Sequence, residues 1–137
     1  MKRFAVSALA LLAGIFTAST VQAQGHEVRA NIPFDFAVGG THLPSGYYSF
    51  STQGDDMMLI RNADRQIVVL SRTDEISNPA DYKPILIFNK YGDRYFLHEI
   101  SCPSIAVNVE IPASKMERQT RSLMAWRGPD QVLLALN

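Results

Sequence analysis

The densest run of chemically versatile side chains is Asp93-Arg94-Tyr95, with His98 and Glu99 close behind. An acid, a guanidinium, a phenol and an imidazole in so short a stretch could recognise a polar ligand or move a proton. The spacing argues against joint action of the last two. If residues 94–101 form a strand, Arg94, Phe96 and His98 share one face, while Tyr95, Leu97 and Glu99 share the other. His98-Glu99-Ile100-Ser101-Cys102 superficially resembles a zinc-protease helix motif. That motif needs a second histidine one helical turn on, where this chain has Cys102. His26 and His42 are isolated in sequence, and a metal site would need them to converge with His98. No metal or cofactor is expected, and no catalytic residue is assigned.

The other candidates are weaker in pattern. Asp55, Asp56, Asp74, Glu75 and Asp81 are acids scattered through turns. A hydrolase could use two of them across a cleft, with separations of about 5 to 9.5 Å, but nothing in the spacing selects a pair. Cys102 is the only cysteine. It follows the apolar stretch 96–100 and is expected to be buried, since a reactive thiol needs a neighbouring base or cation. There is no glycine-rich phosphate loop and no nucleophile elbow. The candidate ligand or partner residues are therefore Tyr91, Asp93, Arg94 and Tyr95 at one hairpin, with Tyr47 and Phe50, together with Tyr48, as the lining of an aromatic groove.

The elements that must carry these residues read as β. Val28, Ala30, Ile32, Phe34, Phe36 and Val38 have one parity, the signature of a half-buried strand. Pro33 within it lacks an amide hydrogen, which points to an edge or a bulge. Gly39-Gly40 marks a tight turn, and Leu43-Pro44-Ser45-Gly46 a second one. Strands follow at 47–52, 57–61 and 66–72. Ile67-Val68-Val69-Leu70 is apolar on both faces, which predicts a central or doubly covered strand. Residues 73–83, with Asn78-Pro79, form the longest polar loop. Residues 84–89 and 94–101 make a hairpin around Lys90-Tyr91-Gly92-Asp93, and Ile105, Val107, Val109 and Ile111 alternate as another strand.

A helix is expected from Lys115 to Trp126. Ser114 and Glu117 have the spacing of a capping box, in which the glutamate reaches back to the serine amide. Met116, Thr120, Leu123 and Met124 would form its inner face, and Gly128-Pro129 would stop it. Residues 132–136 would add a last strand. About seven or eight short antiparallel strands at roughly ten-residue spacing, with one short C-terminal helix, indicate an all-β fold, either a β-sandwich or a small β-barrel.

The amino terminus carries an address. Lys2 and Arg3 precede an apolar run from Phe4 to Phe16, and Val21-Gln22-Ala23 is a small-residue cleavage pattern. The run is too short to span a bilayer, which takes about 20 residues. Residues 1–23 are read as a signal peptide and residues 24–137 as a single β-rich domain, exported to the periplasm or the medium with no membrane span after cleavage. The chain balances 13 basic against 13 acidic residues, and loss of Lys2 and Arg3 leaves it slightly acidic. There is no basic stripe for nucleic acid.

Two blocks carry a resemblance. One is VRANIPFDFAVGG from Val28, followed by LPSGYY from Leu43; the other is YGDRYFL from Tyr91, followed by IPASKMER from Ile111. In this order they resemble a group of small exported bacterial proteins of unknown function, found mainly in acidobacteria. The resemblance covers roughly residues 28–118. It implies export and an all-β fold, and brings no activity, ligand or catalytic residue. The expected role is a non-enzymatic binding or envelope-associated interaction module whose partner is a protein or a small molecule. A small apolar-ligand carrier, with a pocket lined by Tyr47, Phe50, Tyr95 and Phe96, is one alternative. A hydrolase with a spatially assembled carboxylate pair is the other.

Overall fold

The computed structural model describes residues 27–77, 83–124 and 128–136. The expected leader at 1–23, Gln24, His26, Asn78-Pro79, Asp81 and Trp126 lie outside the described residues. Strands β1 (Glu27–Ile32), β2 (Phe36–Val38), β3 (Thr41–Leu43), β4 (Gly46–Gln53), β5 (Met57–Asn62), β6 (Ile67–Arg72), β7 (Asp74–Glu75), β8 (Ile85–Tyr91), β9 (Arg94–Cys102) and β10 (Val107–Glu110) precede helix α1 (Lys115–Leu123), and β11 (Asp130–Ala135) follows it. The smaller sheet has the order β1-β4-β5-β6, every neighbour antiparallel. The larger sheet runs β11-β8-β9-β10-β7, with β2 joined to β9 through a parallel bridge at Ala37 and Phe96, and β3 paired to β2. The arrangement is all-β and sandwich-like, curled into a half-barrel, with one short helix near the C-terminus.

One core lies between the sheets. Val28, Ala30 and Ile32 of β1, Tyr48 and Phe50 of β4, and Met58 and Ile60 of β5 meet Leu86 and Phe88 of β8 and Leu97, Ile100 and Cys102 of β9. The period-two spacing does this, since every second side chain of a strand faces the same way. Phe88 sits edge-on to both Phe34 and Phe36, with ring centroids 5.0 and 5.6 Å apart. Cys102 is buried, its Sγ 3.3 Å from Ser104 Oγ.

The alternation over 28–38 is two strands rather than one. Pro33 cannot donate to a ladder, and the chain leaves the smaller sheet there and enters the larger one at Phe36. Asp35 Oδ1 accepts the Ser45 amide at 2.8 Å and Tyr48 Oη donates to the Pro44 carbonyl at 2.6 Å, which fixes the corner. The Gly39-Gly40 turn closes β2 on β3 with both glycines at positive φ, +55° and +88°. A two-residue hairpin turn of this kind needs that conformation.

Three expectations need correction. Strand β6 is not central but an edge of the smaller sheet, and Val68 and Leu70 are each 55% exposed on its outer face. Its continuous apolar run reflects a strand with little cover, not double cover. Strand β9 does not keep one parity, because a register shift against Ile87 and Phe88 leaves His98 as the extra residue. Leu97 and Ile100 therefore both reach the core, and the His98 imidazole lies 3.8 Å from Glu110 on β10. A bulge re-aims side chains in this way. Finally, helix α1 ends at Leu123, which is exposed, and its buried residues are Glu117 and Thr120 rather than Leu123 and Met124.

Candidate functional site

The hairpin candidates meet the helix. Ser114 caps α1, its Oγ accepting the Glu117 amide at 3.1 Å. The carboxylate of Glu117 does not reach back in a reciprocal box. It turns inward, only 4% exposed, and its Oε1 accepts from Asn89 Nδ2 at 3.1 Å and from Tyr91 Oη at 3.3 Å. Met116 packs beside it on Ala37, Tyr91 and Phe96. Arg94 Nη1 donates to Thr120 Oγ1 at 3.1 Å, and that hydroxyl donates to the Met116 carbonyl at 2.9 Å. Burial, and then the Glu117 charge, push the Tyr91 phenol above its ordinary value of 10.0, with Arg121 opposing in part. The phenol therefore keeps its proton at neutral pH and serves as a donor. Every strong partner in this cluster is internal, so its chemistry is spent on seating the helix against the sheet.

The remaining candidates are dispersed. Tyr95 points away from Tyr91, stacked on Phe34 at 3.9 Å, with Lys90 Nζ 5.4 Å from its ring centroid. Asp93 is in the turn and helps line a cleft of about 180 Å³ with Asp35, His42 and Arg94. Phe50 is 1% exposed in the intersheet core, whereas Tyr47 is 66% exposed on the opposite face of the same strand. The aromatic groove expected from Tyr47, Tyr48 and Phe50 does not form, because Tyr48 and Phe50 share the buried face of the strand and Tyr47 lies on the other. Tyr95 and Phe96 part for the same reason. Glu117 was missed as a buried acid. Its only sequence signal was its place in the capping box, and that describes a solvent-facing role.

The groups left unspent are on the outer face of the smaller sheet. Cross-strand register sets Arg29, Ser49, Arg61 and Val68 in one row and Ser51, Leu59 and Leu70 in the next. Tyr47 follows Ser49 on the same face. Among the described residues the ion pairs on this side of the molecule are Arg29 with Glu27 at 3.2 Å and Arg72 with Asp74 at 3.7 Å; both are exposed and contribute little to stability. The free edge of β6 borders a groove of about 400 Å³, where residues 69–72 face Val38, Gly39 and Pro112. Among the described residues no three His, Cys, Asp or Glu side chains gather as a metal site, and no helix is long and apolar enough to cross a membrane. This face can bind by main-chain pairing, apolar contact and guanidinium recognition. Comparison with protein-family models, with curated proteins and with solved structures gives no match.

Proposed function

We propose that the chain is an exported, non-enzymatic interaction module that takes an extended segment of a partner protein onto the β6 edge. Export rests on the leader-like residues 1–23. The observation that carries the binding mode is β6 itself. It is an edge strand with apolar residues on both faces, two of them more than half exposed. Edge strands are ordinarily protected by charge, proline or a bulge. The opposite edge, β1, follows that pattern with Glu27, Arg29 and Asn31 outward and Pro33 at its end, while residues 67–70 of β6 carry none of these. An added strand would pair its backbone with β6 and lay alternate side chains on Val68 and Leu70.

A photo-reactive residue at position 70 tests the reading in the producing cell. Cross-linking to one discrete partner is expected, and Val68→Lys should abolish it with an unchanged melting curve. A control probe at Arg29 should label no such partner. Equal labelling from both positions, or none from position 70, would refute strand addition at β6.

A further inference from the structure

The geometry points to a second binding site on the same sheet face, for an acidic saccharide whose sugar ring stacks on Tyr47 and whose carboxylate is held by Arg61 and Arg29. This goes beyond strand addition at β6 and stands whether or not that occurs. The site is set by register. Arg29 on β1 and Arg61 on β5 both pair with Ser49 on β4. Neighbouring strands lie about 4.8 Å apart, so the two arginines rise about 10 Å apart on either side of a small serine. That gap admits one anionic group, and two guanidinium forks can close on it from both flanks.

Tyr47 stands two residues from Ser49 on the same strand and face. Its neighbours are Asn31 on β1, in register, and Ala63 just beyond β5. These short side chains leave its ring 66% exposed. An exposed ring beside a shallow concavity is a stacking platform for the apolar face of a pyranose. Tyr47, Ser49, Arg29, Arg61 and the Arg29 partner Glu27 line one depression of about 460 Å³, a volume suited to one or two sugar rings. Among the described residues the side chains of Tyr47 and Arg61 make no hydrogen bond or ion pair within the chain. Only Arg29 is engaged, by exposed Glu27, a contact that a carboxylate ligand can replace at small cost. The ring selects for a saccharide over a bare anion, and the paired arginines select for a uronate over a neutral sugar. Because both arginines are solvent-exposed, binding is salt-sensitive.

Titration of the purified protein with a short oligogalacturonate, followed by calorimetry and by the amide shifts of residues 29, 47, 49 and 61, tests the assignment. Saturable binding is expected, weakening as salt is raised. Neutral oligogalactose should not bind. Tyr47→Ala and Arg61→Gln should each weaken binding about tenfold or more, and Tyr47→Phe should keep most of it, since the ring and not the hydroxyl stacks. All three substitutions are at exposed positions and should leave the melting temperature unchanged. Absence of binding, equal binding of the neutral oligomer, or a Tyr47→Ala variant that binds as well as the parent would overturn the proposal. So would inorganic phosphate binding as tightly as the oligogalacturonate, which would make the site a bare anion spot. The cross-link from position 70 separates the two binding modes, because Tyr47→Ala lies on β4, away from the β6 edge, and should weaken this titration while leaving that cross-link unaltered.

Discussion

Glu117 accepts hydrogen bonds from Asn89 and Tyr91 while its own amide donates to Ser114, so one residue ties the helix to the β8–β9 hairpin. Its neighbour Tyr91 carries a pH consequence. Burial and the Glu117 charge raise the folded-state phenol above its ordinary 10.0, so the folded protein holds this proton more tightly than the unfolded chain. The associated stability is fully present below the unfolded value and is lost as pH rises through the folded one. Urea midpoints should therefore be level near neutrality and fall above about pH 10. Tyr48, also raised mainly by burial, adds to the fall. Tyr91→Phe should flatten the curve in part, and a variant with the parent's full alkaline loss would show that Tyr91 is not responsible. The pattern at this scale was only half legible. The capping spacing identified Ser114 and Glu117 as partners, and the amide bond is there. It could not reveal that the carboxylate would find two buried donors from strand β8, 26 and 28 residues away.

Helix α1 is one turn of cap and one face of contact, and the two can be separated by substitution. Ser114→Ala removes the cap alone and should cost about 1 kcal/mol. Glu117→Ala keeps the cap and strands two buried donors, Asn89 Nδ2 and Tyr91 Oη, for about 2–4 kcal/mol. Chemical denaturation of both variants tests the order. If Ser114→Ala proved the more damaging, the helix would be held by its end and not by its face. Strand β6 shows why local patterns mislead about position. Ile67 to Leu70 satisfies the pattern of a covered strand, yet the chain crosses to the other sheet at Thr73, leaving β6 with β5 as its sole neighbour among the described strands. Apolar periodicity reports what a strand could bury; only pairing decides what it does bury. The His98 bulge is similar, since one extra residue switches the core parity of β9 midway and no composition signal marks it.

The two sheets share a single core, so the described domain should unfold as one unit. Phe88 is where this is most testable. It is fully buried and touches both Phe34, at the corner between the sheets, and Phe36 of β2. Phe88→Ala should cost about 3–5 kcal/mol and lower hydrogen-exchange protection in β1 and β4 of the smaller sheet as much as in β8. Loss confined to the larger sheet would mean that the sheets are energetically separable. At this scale the sequence by itself determined the all-β class, the positions of most strands and turns, the start of the helix and the burial of Cys102. Those features follow from interactions between residues close in the chain, such as period-two alternation, glycine at positive φ and a serine cap. The tertiary structure decided which sheet each strand joined, that β6 lies at an edge, that Glu117 belongs to the interior, and that Tyr47 stands free beside Arg61. Each of these depends on which distant segment becomes the neighbour, a choice made by the collective packing of both sheets.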